Sequence, residues 1–571
     1  MNDSLFGKRI GRRALLGGMA GSAAAAILAA CGGETATTAP AAATVAPTAA
    51  ATATKAAAAA TTAPTTAATT AATTGATAAA ATTAPTVAAT TAATTGPTAA
   101  ATSVPATKGS TAATTAPATM VPAATSAAST SQTLNGQSVF LTKFGNTAGQ
   151  GNADVDKLDL AGKQIKLTFY HTQTKGNEDA LKKIIGDFQT ANPGITIDAQ
   201  SITGSYSGVS AKVRAGIQAN QVPDIAVGYE NDVANYQQGD AVLDLTPYIN
   251  SKKYGWTKDD LADIFPGFLD RNLYSDFKDA VLSAPFTSSV LTMWYNNDML
   301  KMLGFSGPAK TWDEFKMQAA AAVKAGKKGW PFSVDTSQAD AMVFSFGGDV
   351  ITADNKKAKF DTPQALGALQ VVEDMAKAGT AYQVNVGMNE DQTAFINGEV
   401  PFFLGSSTGR GYVQDAIYKD PKNPAMGDKF DWNGTVIPQS ADNLKTPATA
   451  LYGGNIILFK GKPENQLASW LFVKYFTSKD ATAYWGQKTG YLPVRKSAAD
   501  SVDYKAFIGQ KSVNAAPINV APFGKGEPKP AGWSKARDDI SAVMTQLINK
   551  QITAADAAKQ IQSKVNTDLA S

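Results

Sequence analysis

Apolar residues recur with two different periods in the last three-quarters of the chain. In "KQIKLTFY", residues 163–170, Ile165, Leu167 and Phe169 alternate with polar neighbours, the spacing of a strand with one buried face. The next stretch, "GNEDALKKIIGDFQTANPG", sets Leu181, Ile184, Ile185 and Phe188 on one helical face and stops at Pro-Gly. "ITIDAQ" predicts a second strand, "SAKVRAGIQAN" a second helix and "DIAVGYE" a third strand. Strand–helix–strand alternation predicts a mostly parallel sheet with helices over its faces, and hence an α/β fold. Later helices carry their own start signals. Thr311 and Glu314 have capping-box spacing, and Thr362-Pro363 opens a helix that Gly379 closes. "KPENQLASWLFVKYF" places Leu467, Trp470 and Leu471 on one side.

No such periodicity exists near the front. From Gly32 to about Ser131 the chain is almost only Ala, Thr, Pro and Ser. It has too little apolar surface to offset the entropy of ordering, so a disordered tether is expected. As a flexible coil, about 100 residues would reach roughly 50–60 Å. Ahead of it, Lys8, Arg9, Arg12 and Arg13 precede the small-residue apolar run "ALLGGMAGSAAAAILAA". That layout is a secretory signal, too short and too Ala-rich for a permanent span. "GRRALL" resembles a twin-arginine export signal, and "LAAC" resembles a bacterial lipobox. Cys31, the only cysteine in 571 residues, is therefore read as a lipidation site holding the chain to a membrane.

Composition narrows the chemistry. Net charge is +4, and residues 1–31 account for three of those charges. With no concentrated basic face, nucleic acid is not an expected partner. One histidine, His171, and no cysteine beyond residue 31 exclude Cys/His metal sites and Cys–His dyads; no metal and no cofactor are expected. "GFSGPAKT" has Ala309 where a phosphate-cradling loop needs its second glycine, so it reads as the lead into the Thr311 helix. About 410 residues after the tether exceed what one core usually serves, and two lobes are expected.

Several segments resemble the family 1 extracellular solute-binding proteins of ATP-binding-cassette (ABC) importers, the glycerol-phosphate-binding type most of all. They are "FYHTQTKGNEDALKKIIGDFQTANPGITI", "GSYSGVSAKVRAGIQANQVPDIAVGYEND", "APFTSSVLTMWYNNDMLKMLGFSGPAKTWDEF" and "FTSKDATAYWGQKTGYLPVRKSAAD". "GEVPFFLGSSTG" and "LYGGNIILF" add to these, and the likeness spans most of residues 163–571. The resemblance implies a two-lobe periplasmic-binding-protein fold of type II, maltose-binding-protein-like. Its ligand would lie in the cleft, its partner would be an ABC permease, and it would act as a monomer without catalysis. The implied layout is a signal at 1–30, a Cys-anchored linker at 31–157, a first lobe at 158–284 and 405–453, and a second at 285–404 and 454–571. Crossings between lobes are expected near 283–288 and 403–408.

The resemblance also implies ligand contacts at Tyr206, Glu230, Ser289, Ser406, Gly454 and Tyr491. Trp533, after the Gly- and Pro-rich loop "FGKGEPKPAGW", is added as a sugar platform. A carboxylate at 230 suits two vicinal hydroxyls; its removal should abolish ligand binding and leave the free protein's melting point unchanged. Trp294, in a strand-like run, reads as core. The type's phosphate-binding arginine falls on or beside Pro528, with Lys529 adjacent. Lysine lacks the planar fork, so a sugar, oligosaccharide or polyol is favoured over a phosphate ester. An exported glycoside-acting enzyme, which needs two carboxylates about 5–10 Å apart, and a wall-binding or adhesive lipoprotein stay open as alternatives.

Overall fold

The computed structural model describes residues 137–385, 388–417 and 427–570. All fall within one compact unit, Ala116–Ser571. The signal, Cys31 and the low-complexity tether lie outside the described residues.

Nine strands among these residues build two main sheets. They are β1 (Ile165–His171), β2 (Ile195–Ser201), β3 (Ile225–Gly228), β4 (Ser289–Asn296), β5 (Phe402–Ser406), β6 (Trp432–Thr435), β7 (Thr449–Tyr452), β8 (Asn455–Leu458) and β9 (Gly524–Gly526). The helices used below are α1 (Lys175–Ala191), α2 (Ser205–Gln218), α3 (Glu230–Gln238), α4 (Thr336–Ser345), α5 (Lys479–Thr489) and α6 (Trp533–Ile548).

The first sheet runs β8–β3–β1–β2. β1 pairs in parallel with β2 and β3, while β8 closes the edge antiparallel to β3. The period-two reading of β1 holds: Ile165, Leu167 and Phe169 are buried, and Lys166 between them is exposed. α1 buries Leu181, Ile184, Ile185 and Phe188, the face its spacing predicts. In the second sheet β4 is central. It pairs antiparallel with β5, β6 and β7, and β7 pairs in parallel with β9. Trp294 on β4 is fully buried, as its strand context predicts. Thr311 caps its helix through the expected box with Glu314, and Thr362 caps the helix that Pro363 begins.

Two boundaries need correction. β5 lies in the second sheet, paired with β4 from Leu291↔Ser406 to Tyr295↔Phe402, so the chain does not return to the first lobe near 403–408. It returns between β7 and β8, at Gly453-Gly454. β8 and the residues that follow join the first core, including Leu467, Trp470, Trp485 and Val494. A third crossing lies between Val494 and β9, which begins at Gly524 in the second sheet. Residues 405–452 thus belong with the second lobe and 455 to about 500 with the first, while Val513 and Ala516 pack with Trp294 and Trp432 of the second sheet. The physical reason is pairing. β7 and β8 are both short apolar runs, and only their partners across the sheet distinguish them. The first crossing lies between Ala284, which bridges Ile456 in the first lobe, and β4.

The linker expected to reach residue 157 ends sooner. Short helices at Val139–Phe144 and Ala153–Asp156 pack on the first lobe, with Phe140, Ala148 and Val155 in its core. Asp270 accepts from the Phe140 amide at 2.8 Å and from Ser138 Oγ at 2.9 Å. Asp156 accepts from Ser251 Oγ at 2.5 Å. Truncation at residue 158 should therefore lower the denaturation midpoint relative to truncation at residue 137. Phe140→Ala should cost about 3–5 kcal/mol in chemical denaturation, the range for a buried phenylalanine.

Candidate functional site

The carboxyl ends of β1, β2 and β3 carry the first lobe's polar residues toward the second lobe, the usual ligand edge of such sheets. Past β1 lies His171, buried and held below its ordinary pKa by that burial. Its Nδ1 accepts from the Gln173 amide at 3.2 Å. Past β2, α2 opens at Gly204-Ser205 and presents Tyr206. Past β3, α3 opens with Tyr229 as its cap, followed by Glu230, Asn231 and Asp232, all three buried.

Tyr206 reaches the crossing strands. The Gly454 amide donates to Tyr206 Oη at 3.1 Å, and Tyr206 Oη lies 2.8 Å from Thr287 Oγ1. Thr287 Oγ1 donates to the Gly454 carbonyl at 2.9 Å, which closes a ring of bonds over two crossings. A Cβ at Gly454 would stand 2.3 Å from Tyr206 Cε1, so glycine is what lets the ring approach. Its neighbour Gly453 has φ +107, and a Cβ there would meet the Thr287 carbonyl oxygen at 1.8 Å.

Glu230 is buried against Arg271, whose Nε donates to Glu230 Oε1. The same guanidinium donates through Nη2 to the Gly453 carbonyl at 2.8 Å and lies 3.5 Å from Ser288 Oγ through Nη1. Arg271 therefore ties the first lobe to both crossings. Sequence reasoning missed it, because no motif marks the arginine of "FLDRN". Ser289 is buried at the start of β4, its Oγ 3.5 Å from the Tyr452 carbonyl. Ser406 ends β5 and accepts from Thr408 Oγ1 at 2.9 Å. Its neighbour Ser407 donates to the Gly490 carbonyl at 3.2 Å. Tyr491 stacks on Trp485 of α5, centroids 5.6 Å apart and planes 3° from parallel, and burial raises its hydroxyl well above the ordinary value.

Six of the seven candidates thus gather about the crossings. Trp533 does not join them as a platform. It is fully buried in the second lobe's apolar core at the start of α6, without a free face.

The second lobe answers with residues that were not anticipated. Arg537 on α6 stacks on Tyr229 of the first lobe, 4.8 Å to the ring centroid, and donates to Glu527 Oε2 at 2.8 Å. Asn231 donates to Ser534 Oγ at 2.6 Å across the same boundary. In sequence, "SKARDD" reads as a solvated helix face, which is why Arg537 stayed hidden. Lys529 turns to the first lobe. Its Nζ donates to the Asp270 and Leu273 carbonyls at 2.6 and 2.8 Å, and desolvation pulls its pKa down to about 8.

A cavity of about 200 Å³ lies beside this network, below the ~300–1,000 Å³ typical of ligand pockets. Arg271 and Ser275 line it from the first lobe, and Phe344, Asp349 and Glu527 from the second. None of the seven candidates lines it; Arg271, bonded to Glu230, is the link between the two. No cluster of possible metal ligands occurs among the described residues.

Comparison with known proteins agrees with this architecture. Residues 183–509 match the family model described as bacterial extracellular solute-binding protein. The sn-glycerol-3-phosphate-binding periplasmic protein UgpB of Escherichia coli K12 is 23% identical over 355 residues, 60% of this chain and 77% of that protein. UgpB from Mycobacterium tuberculosis, solved with glycerophosphocholine, superposes with a TM-score of 0.61 at 18% identity, covering 71% of this chain and 98% of that one. The cyclic alpha-maltosyl-1,6-maltose binding protein of Arthrobacter globiformis gives 0.58 at 21% identity, covering 71% and 99%. The α/β two-lobe fold expected from sequence is the fold of these structures.

The Glu230–Arg271 pair overturns one expectation. Glu230→Ala leaves a buried guanidinium without its counter-charge, so it should lower free-protein stability by about 3–5 kcal/mol. Arg271→Met, which strands the carboxylate, should be comparably destabilising, and the double replacement by Met at both positions should recover part of the loss. Urea denaturation of the three variants measures this.

Proposed function

The chain belongs to the bacterial extracellular solute-binding proteins, and from that premise we propose that it captures a sugar, oligosaccharide or polyol between its lobes and delivers it to an ABC permease. It binds and does not catalyse, in keeping with its family. The supporting observation is the gathering of Tyr206, Glu230, Ser289, Ser406, Gly454 and Tyr491 about the first two crossings, where a solute touching both lobes gains contacts only when they approach. Such a solute shifts the population toward the closed form by its difference in affinity for the two forms.

Relatives support a hydroxyl-rich solute from two sides. One is named for sn-glycerol-3-phosphate, and a solved neighbour for a cyclic maltosyl-maltose. Lys529 spends its donors on first-lobe carbonyls, which favours the unphosphorylated class here. The chain works outside the cell membrane as a monomer, held by lipid on Cys31. No helix among the described residues is long and apolar enough to cross a membrane.

A thermal-shift screen of the full chain against maltose, maltotriose, glycerol, sn-glycerol 3-phosphate and glycerophosphocholine tests this. A true ligand at 100 times its dissociation constant should add about 2.7 kcal/mol to stability. Tyr206→Ala should reduce that gain. Release of reducing ends from the oligosaccharides, with no stabilisation, would contradict the reading.

A further inference from the structure

Two acids in the second lobe remain unexplained by packing. Asp340, in the middle of α4, is 0% exposed, and neither carboxylate oxygen has a hydrogen-bond partner. Glu527 is 6% exposed and lines the cavity; its Oε2 accepts from Arg537, while Oε1 has no partner. Phe344, one helical turn beyond Asp340, lines the same cavity. The charged groups facing this pair are Arg537 on α6, Asp335 at the cap of α4 and, across the boundary, Glu230. Arg537 faces all three second-lobe carboxylates, Arg271 attracts Glu527 from the first lobe, and Lys529 lines the same cavity.

These cations are already engaged. Arg537 bonds Glu527, stacks on Tyr229, and reaches Ser337 at 3.4 Å and Asp335 at 3.9 Å. Arg271 is held by Glu230, and Lys529 by backbone carbonyls. A buried unpartnered acceptor is costly, and perturbed buried acids gather at functional sites. A phosphate entering here would face carboxylates, with Arg271 and Lys529 already bonded elsewhere. A hydroxyl or an ammonium would meet acceptors.

We infer that Asp340 and Glu527 are the second lobe's acceptor pair for the solute and set its class: a hydrogen-donating group without negative charge, a sugar hydroxyl or an amine, with phosphate excluded. This rests on the solute-binding reading above. Burial raises the pKa of both acids, Asp340 well above its ordinary value, while Arg537 works against the rise at both.

Isothermal titration of the full chain with maltose, glucosamine and sn-glycerol 3-phosphate is the first arm. Binding of maltose or glucosamine, weakened about tenfold or more by Asp340→Asn or Glu527→Gln, supports the pair. Proton release, read across buffers of different ionisation enthalpy, marks the amine; its absence marks the hydroxyl. Tighter binding of sn-glycerol 3-phosphate than of both others overturns the proposal. Unaltered affinity in both variants also overturns it.

The second arm needs no ligand. An acid whose folded pKa is raised favours folding below its unfolded value and loses that contribution as pH rises toward the folded value. Wild type should lose stability relative to Asp340→Asn from about pH 4 upward, and the variant should melt at or above wild type at pH 8. A variant melting below wild type at pH 8 would show Asp340 to be a structural partner and overturn the proposal, even if none of the three probes binds. Since this arm is ligand-free, its failure is distinct from failure of the solute-binding reading.

Discussion

A buried guanidinium organises this molecule. Arg271 is taken out of water, so its charge must be met where it sits, and Glu230 meets it. Its remaining donors turn to the Gly453 carbonyl and to Ser288, the places where the chain passes between lobes. Tyr206 closes a second set of bonds over Thr287 and Gly454. The crossings are thus fixed to the first lobe by polar contacts whose partners cannot be removed singly without stranding another. Hinges in two-domain proteins are a few element-terminal residues that absorb the backbone change. Here two adjacent glycines occupy one such place, and Gly453 already uses a positive φ.

From that anchor the division of labour follows. The first lobe is a parallel sheet with its polar residues at one edge. The second contributes α4, α6 and the segment after β9. Away from the crossings, contact between lobes includes polar pairs: Asn231 on Ser534, and Arg537 over Tyr229. Polar interfaces within a chain permit relative motion more readily than large apolar ones. A solute that adds contacts to both sides can therefore bias closure without rebuilding either core.

Much of the fold was readable because its elements are locally consistent. β1 and α1 carry the right periods, and Thr311 and Thr362 the right caps. What could not be read is pairing over long separation. β5 finds β4 across more than a hundred residues, and β8 leaves its neighbour β7 for the other sheet. No local pattern encodes that choice. The ordered stretch before residue 158 was hidden by its small, polar composition, though Phe140 and Val155 anchor it. In the site, the resemblance named Tyr206 and Gly454, and the fold brings the two together. Partners were not legible: Arg271 and Arg537 each look like surface cations until the fold buries the first and half-buries the second.

The central claim is that two lobes approach over a donor-rich solute that leaves unchanged. Since Cys31 is the only native thiol, Cys31→Ala with Lys182→Cys and Lys324→Cys gives one spin label on each lobe. Double electron–electron resonance then reads the distance between them. With the sugar or polyol that stabilises the chain most, the distribution should shift to shorter distance and return when the solute is dialysed away intact. An identical distribution with and without that solute would contradict the account.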